Sequence, residues 1–196
     1  MKKFELTTNT KMWFGRKLFQ IKALISFGNV SAGELGGWVE KDENLSYCGD
    51  AWVYDNAKVY DDAWVCGNAK VYGDAKVYGD AWVCDNAEVY GDAKVCGNAK
   101  VCGNAKVCGN AKVYGDAKVY GDADYLLVGP LGSRNDFTTF IRDKSGKIIV
   151  ACGCFRGTLA EFQYAIRKTH GDNKHAKDYR AAIRFATTRM DGEDDA

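Results

Sequence analysis

The chain has 196 residues, of which 46% are hydrophobic and 27% charged, a composition typical of a globule with one large or two small domains. A formal net charge of +1 argues against a general polyanion-binding protein, so nucleic-acid binding is not favoured and would need a local basic stripe. The first residues lack an apolar run of signal-peptide length and no membrane-spanning segment occurs, so we expect a cytoplasmic protein without a membrane partner.

Residues 1–48 are not repetitive and are predicted to form a β cap that leads into an irregular first coil. Two strand-like runs, Lys3–Leu6 and Lys17–Ala23, flank a hairpin turn at Trp13–Arg16. The glycine-rich bend Gly33–Gly37 lacks the strand-to-helix context of a phosphate-binding loop. We expect this segment to cover the apolar end of the repeats that follow.

Residues 49–123 repeat a six-residue phrase. Valine stands at every sixth position from Val53 to Val119, with alanine two residues before each valine, which gives twelve consecutive phrases. Ala–Lys–Val alternates inward, outward and inward, the pattern of a short strand with one buried face. The Gly–Asn and Gly–Asp pairs tolerate the positive φ of a sharp corner. A strand and a corner every six residues indicate a solenoid.

Residue identity also follows an eighteen-residue period, which predicts three phrases in each turn. Like residues then form columns along the solenoid, namely Cys48, Cys66, Cys84 and Cys102; Tyr54, Tyr72 and Tyr90; Tyr60 and Tyr78; Trp64 and Trp82; and Lys58, Lys76, Lys94 and Lys112. In a reducing compartment the cysteines should be free thiols at the corners, with a metal-binding cysteine ladder as the alternative.

These phrases resemble the hexapeptide-repeat family, in which an aliphatic residue, three less constrained positions and a small residue recur, as in Val53–Lys58. The resemblance implies a left-handed parallel β-helix of triangular section, here with about four coils. Tyr or Cys follows each valine, where many family members have glycine. The expected fold class is mainly β, with an N-terminal β cap, this β-helix and a C-terminal ββαα module.

The module is predicted over residues 124–190. Asp136–Arg142 and Lys147–Cys154 are expected to be two strands joined by a turn at Asp143–Gly146. The amphipathic helices that follow need a partner, which the hairpin, the end of the solenoid or another subunit would supply.

Two helices are expected to complete the module. Thr158 should cap the first, with Glu161 in capping-box position, and Gly171 should end it. The second should extend from about Lys174 to Met190, before an acidic tail, residues 191–196, that is predicted to be disordered.

Histidine is absent from the solenoid, and His170 and His175 are the only two in the chain. The family resembled is rich in acyltransferases that use acetyl-CoA or acyl carrier protein with a histidine base on or beside the coil, and its carbonic anhydrase branch needs histidine ligands for zinc. We therefore expect no cofactor and lean against an enzyme. An acyltransferase with an altered base is the alternative.

A column of four lysines is the most suggestive surface feature, and it consists of Lys58, Lys76, Lys94 and Lys112. Like charges at strand spacing repel unless an anion screens them, and a nucleotide, nucleic acid or acidic protein surface would do so. The alternative is a solvated face, because Asp74 and Asp92 stand two residues before their lysines.

A polar cluster is predicted where the solenoid meets the module, formed by Arg134, Asn135, Asp136 and Arg142. Loops at such junctions often carry ligands, so Arg134 is a candidate to bind a small anion or a partner's carboxylate. A role in turns and caps is the alternative.

Cys152, Cys154, His170 and His175 follow one another in an order that suggests a zinc site, although Cys-x-Cys is tighter than the usual spacing. Cys154 as a nucleophile with His170 as its base is a second hypothesis. The third has the cysteines packed on the helices and His170 placed at a helix C-terminus, where its charge is favourable.

The whole chain resembles hexapeptide-repeat proteins of bacteriophages and prophages, which implies a context but no known reaction. The leading hypothesis is a non-enzymatic binding or inhibitory protein. A rigid β-helix, as a homo-oligomeric dimer or trimer, would present the C-terminal module to a host protein or a small anionic ligand. In a phage the role would be anti-defence, by blocking a CRISPR-type effector or sequestering a nucleotide signal.

Overall fold

The structure is a computed structural model that describes residues 2–121, 124–143 and 145–191. It consists of an N-terminal β-hairpin, a three-sided parallel β-helix, a four-stranded antiparallel sheet and two helices. The predicted mainly β fold built on a β-helix is thereby confirmed. The predicted end of the repeat at residue 123, Lys144 of the predicted turn, and residues 192–196 of the predicted tail lie outside the described residues. In the part described, neither helix has the length and apolar character needed to cross a membrane.

The N-terminal cap is a hairpin of β1 (Phe4–Trp13) and β2 (Arg16–Ala23), in which the first strand is longer than predicted. Its two-residue turn has positive φ at Phe14 (47°) and Gly15 (80°), which suits the twist of an antiparallel pair. β2 also pairs with β3 (Leu35–Val39), and β3 pairs in parallel with the solenoid. The cap therefore continues one face of the solenoid as a seven-stranded sheet.

Short strands form the three faces of the solenoid, with corners between them. They are β4 (Trp52–Val53), β5 (Lys58–Val59), β6 (Trp64–Val65), β7 (Lys70–Val71), β8 (Lys76–Tyr78), β9 (Trp82–Val83), β10 (Glu88–Val89), β11 (Lys94–Cys96), β12 (Lys100–Val101), β13 (Lys106–Val107), β14 (Lys112–Val113) and β15 (Lys118–Val119). A 3-10 turn, Asp42–Asn44, precedes them. Because β3 and a bridge from Leu45 to Val65 already form a coil, the solenoid has about five turns, one more than predicted.

The predicted eighteen-residue period is the register of the structure. Val59 pairs with Val77 in the next coil, and the rings of Tyr60 and Tyr78 stack at a centroid distance of 5.1 Å and an angle of 2°. The alanine and valine of every phrase are buried, with at most 1% of their surface exposed. Small and branched side chains therefore alternate to fill the narrow interior.

At the corners the backbone is left-handed. Glycine serves most of them, as at Gly79, where a Cβ would lie only 2.9 Å from the amide nitrogen of Gly97 in the next coil. Three corners use aspartate instead: Asp55, Asp61 and Asp85, with φ of 51°, 60° and 58°. Each of their carboxylates accepts a hydrogen bond from a glycine N–H one coil further on, which ties adjacent coils together.

The C-terminal sheet has four strands where two were predicted. In order they are β16 (Tyr125–Leu131), β17 (Asp136–Arg142), β18 (Ile148–Cys152) and β19 (Phe155–Thr158). The second strand ends at Cys152, before the predicted end at Cys154, because Gly153, at a φ of 57°, turns the chain from β18 into β19. β19 lies beyond the predicted strand.

Helices α1 (Leu159–His170) and α2 (Lys174–Asp191) follow, and they pack on this sheet around Phe140, Phe162 and Tyr179. The predicted capping box is present, since the Thr158 hydroxyl accepts from the Glu161 N–H and the Glu161 carboxylate accepts from the Thr158 N–H. Both helices match their predicted bounds closely, and the second ends one residue later than expected.

The sheet closes the C-terminal end of the solenoid. The Tyr114 hydroxyl donates to the Val150 carbonyl at 2.7 Å and accepts from the Gly157 N–H at 3.1 Å. Ile141 of β17 belongs to the same buried cluster as the solenoid valines. The module thus covers apolar surface that an open coil would expose.

Candidate functional site

The predicted lysine column is present on one face of the solenoid. The strand register places Lys58 beside Lys76, Lys76 beside Lys94, and Lys94 beside Lys112. Four ammonium groups therefore follow one another on neighbouring strands, and the protein's own groups decide how many of them an external anion can reach.

The N-terminal hairpin covers the first end of this column. The Trp13 ring centroid lies 4.7 Å from Lys58 Nζ and 5.8 Å from Lys76 Nζ, within the range of cation–π attraction. Lys58 is only 3% exposed, and it donates to the Asn56 carbonyl oxygen at 2.6 Å. Its burial, and secondly the charge of Lys76, lower the pKa of Lys58. Lys58 is thus part of the packing between hairpin and solenoid.

At the other end of the column, a carboxylate of the C-terminal module lies close to the last lysine. Lys112 Nζ lies 3.7 Å from a carboxylate oxygen of Asp136. Lys94, between the two ends, is half-buried and makes no ion pair with the residues that the structure describes. Lys76 also donates to the Asp74 carbonyl oxygen at 2.9 Å. Three of the four predicted anion-binding lysines are therefore engaged by the protein itself, and the column is not one continuous site.

The predicted junction cluster is divided in a similar way. Asp136 faces Lys112 and also accepts a hydrogen bond from the Phe137 N–H at 2.8 Å. Arg142 donates to the Gly146 carbonyl at 3.1 Å, within the β17–β18 connection. Asn135 is a turn residue with a φ of 46°. These three residues serve the local structure and leave Arg134 as the member that faces a cavity.

Arg134 lies across the turn between β18 and β19. A Cβ on Gly153 would lie 3.0 Å from Arg134 Cζ, so the guanidinium rests directly on the backbone there. A side chain at this position would force the guanidinium to move, and the φ of 57° also favours glycine there. Arg134 is exposed and donates no hydrogen bond to the described residues, and its donors are therefore available to a ligand.

The guanidinium borders an open cavity of about 370 Å³ between the β16–β17 loop, the β18–β19 turn and the two helices. This volume is typical of small-molecule sites. One part of the lining is polar, and the other is apolar. The polar residues are Ser133, Arg134, Cys152, Cys154, Thr169, His170 and Tyr179, and the apolar ones are Phe155, Phe162, Ala165 and Ile166.

Tyr179 is the central polar group of this cavity. It is 7% exposed, and its hydroxyl accepts a hydrogen bond from the Cys152 thiol at 3.7 Å. Burial, reinforced by that thiol, raises the pKa of Tyr179, so the phenol is neutral at physiological pH. The ring of His170 lies 5.8 Å from the Tyr179 ring and 5.7 Å from that of His175. The cavity thus offers one fixed cation and several neutral hydrogen-bonding groups.

The four predicted metal ligands are brought to the same region without forming a compact cluster. Cys152 is buried against Tyr179, while Cys154 is exposed at the turn. The two histidines contact each other through their rings. Within the described residues, no three of these four place their ligand atoms within 4.8 Å of one another. The arrangement suits a binding cavity better than a zinc site.

Sequence reasoning identified Arg134, Cys152, Cys154 and His170 but not their shared cavity, and it missed Tyr179. One signal was available, because His175 and Tyr179 are four residues apart and so lie on one helical face beside His170.

No protein-family model matches the sequence, and the search of curated proteins found no significant match. The hexapeptide-repeat family and the bacteriophage context inferred from the repeats therefore stay predictions. The β-helix and the cavity formed by Arg134, Tyr179 and His170 are properties of the structure, and they are what the function has to be inferred from.

Proposed function

We propose that this is a binding protein whose C-terminal cavity binds a small anionic ligand. The β-helix serves as the rigid scaffold that carries the C-terminal module. The observation that carries the proposal is the exposed guanidinium of Arg134 at the edge of a cavity of about 370 Å³. A planar guanidinium with free donors suits the bidentate recognition of carboxylate or phosphate.

The rest of the lining supports a ligand with an apolar part. Phe155, Phe162 and Ile166 provide the surface on which a ring or chain would pack. Tyr179 and His170 provide hydrogen bonds that would orient it. In the phage setting, such a ligand would be a nucleotide signal, since a nucleotide joins an anionic phosphate to a flat base. Blocking of a CRISPR-type effector and assembly into a dimer or trimer stay predictions.

Acyl transfer is the second candidate, and one observation favours it. His170 and Cys154 line the same cavity, so a base and a thiol are both close to any bound ligand. A histidine at that place is the kind of group that accepts a proton from an acceptor hydroxyl or amine.

A calorimetric screen of the full-length protein against small carboxylates, inorganic phosphate, mononucleotides, cyclic nucleotides and acetyl-CoA tests both candidates. We expect at least one anion to bind, and Arg134→Ala to weaken its binding by about 10- to 100-fold, the value of a charge-assisted hydrogen bond. Arg184→Ala is the matched control, because Arg184 is exposed on α2 outside the cavity.

The outcomes separate the candidates. Binding of an anion that depends on Arg134 supports the binding protein. Binding of acetyl-CoA supports the enzyme if, once a hydroxyl or amine acceptor is supplied, CoA is released and the acetylated acceptor appears, and if His170→Gln abolishes this transfer. If no anion binds, or if Arg134→Ala and Arg184→Ala behave alike, the cavity is not an anion site and the proposal is wrong.

A further inference from the structure

A second group of reactive side chains lies on the solenoid and shares no residue with the C-terminal cavity. Strands β6, β9 and β12 pair in register, so that Cys66, Cys84 and Cys102, each directly after its strand, stand over one another in successive coils. The Sγ atoms of Cys84 and Cys102 lie within 4.8 Å of each other. Cys102 is buried, and the other two are half-buried.

Asp85 adds a carboxylate to this column. Of the three left-handed aspartates, it is the one that follows a cysteine, since Asp55 and Asp61 follow tyrosines. Its Oδ2 lies 3.9 Å from Cys84 Sγ and accepts a hydrogen bond from the Gly103 N–H at 3.0 Å. Its backbone position is therefore fixed, and the carboxylate is held against the thiols.

The ligand atoms of Cys84, Asp85 and Cys102 all lie within 4.8 Å of one another, and no other His, Cys, Asp or Glu group in the described residues does so. In a tetrahedral site, two sulfurs that each lie about 2.3 Å from the ion are about 3.8 Å apart. The three ligand atoms, all within 4.8 Å of one another, are therefore close to the spacing that one ion requires.

We propose that Cys84, Cys102 and Asp85 form a binding site for a thiophilic divalent cation such as Zn²⁺ or Cd²⁺. Two thiolates and one carboxylate provide three ligands, and Cys66 or water completes a tetrahedron. Each sulfur loses its proton as its bond to the metal forms, so one ion displaces two protons.

The remaining solenoid cysteines show that a thiol at a corner is not enough. Cys96 occupies an equivalent place after its valine, but its neighbour in the adjacent coil is Tyr78. It has the same half-buried environment without a second thiol. Cys96→Ser is therefore the matched control for the loss of one sulfur.

Cd²⁺ is the probe for the test. The reduced full-length protein, in a buffer without thiols, is titrated while the sulfur-to-cadmium charge-transfer absorption is recorded. We expect saturation at one ion per chain, and a loss of affinity of at least about tenfold in both Cys84→Ser and Cys102→Ser. Affinity should fall about a hundredfold for each unit that the pH is lowered, because two protons are displaced.

A matched pair of variants tests the role of the Asp85 carboxylate. Asp85→Gly and Asp55→Gly each replace a left-handed aspartate by the residue found at most corners, and each removes one bond to a glycine N–H. Only Asp85→Gly should weaken Cd²⁺ binding. The proposal is overturned if no charge-transfer absorption appears, if Cys96→Ser weakens binding as much as Cys84→Ser, or if the two aspartate variants behave alike.

Discussion

The indole ring of Trp13, at the end of the first strand, lies over the ammonium group of Lys58 at 4.7 Å, so one aromatic residue of the cap holds the start of the lysine column. This contact connects the non-repetitive N-terminus to the repeats. Replacing Trp13 should therefore loosen the cap.

Trp13→Ala should lower the free energy of unfolding by about 2 kcal/mol, because a desolvated cation–π contact and part of the ring's buried surface are both lost. Met12→Ala is the control, since Met12 is 67% exposed, and it should change stability by less than about 0.5 kcal/mol. Urea unfolding of the three proteins provides the comparison. Equal stability of the two variants would show that Trp13 does not hold the cap.

Lys3 should make stability depend on pH. Its side chain is buried, and Nζ donates to the carbonyl oxygens of Gly49 and Ala51 at 3.2 and 2.9 Å. Burial lowers the pKa of Lys3 to about 8. Between that value and the ordinary lysine pKa of about 10.4, the unfolded chain binds more protons than the folded one, so this lysine's contribution to stability increases as the pH rises.

The measurement is the difference in unfolding free energy between wild type and Lys3→Met, followed from pH 7 upward. We expect the difference to move in favour of the wild type above about pH 8, the pKa of Lys3 in the folded protein. Buried thiols act in the opposite direction, since Cys66 has its pKa raised to about 11, but they are present in both proteins and cancel in the difference. A difference independent of pH would contradict the lowered pKa.

The fold of the repeats was predictable because a phrase of six residues determines both a strand and its corner. Each Ala–x–Val contributes its own two buried side chains. The pairing of Lys58 with Lys76 follows from the eighteen-residue period of the sequence. The two missed strands, β16 and β19, are the edges of the C-terminal sheet. Edge strands tolerate the Pro130 and Gly157 that concealed them in the sequence.

The cavity was not predictable, because its members meet only when three elements pack together. Arg134 comes from a loop, Cys152 from the end of a strand and Tyr179 from the second helix. No spacing in the sequence indicates that Tyr179 will contact Cys152. The contact of Trp13 with Lys58 could not be predicted for the same reason, since the two residues are far apart in the chain.

Gly36 should be intolerant of any side chain. A Cβ at this position would lie 2.6 Å from both Ile21 Cγ1 and the Val53 carbonyl oxygen, and these belong to the cap and the solenoid respectively. The predicted bend is wrong here, because Gly36 lies in strand β3, and this glycine is a packing site between the cap and the solenoid. Gly36→Ala should destabilise the protein by about 1–3 kcal/mol through overpacking.

Gly121→Ala is the control for Gly36→Ala, because a Cβ at Gly121 would meet no atom of the described residues within 4 Å. The two variants are compared by thermal unfolding. If Gly36→Ala unfolds at the same temperature as the control, the cap can move away from the solenoid more easily than the close contacts suggest.

Tyr114 should control how firmly the C-terminal module is held on the solenoid. Its hydroxyl makes two hydrogen bonds across this junction, one to Val150 and one from Gly157. Tyr114→Phe removes both and leaves a partly buried N–H without its acceptor, a loss of about 1–3 kcal/mol. Amide hydrogen exchange should become faster in β18 and β19, while the amides of the central coils keep their protection. Tyr120→Phe is the control, because Tyr120 is 51% exposed and its hydroxyl makes no hydrogen bond with the residues that the structure describes. Unchanged exchange in β18 and β19 would mean that apolar contacts such as those of Ile141 are sufficient to hold the module. Faster exchange throughout the solenoid would mean that Tyr114 stabilises the repeats themselves.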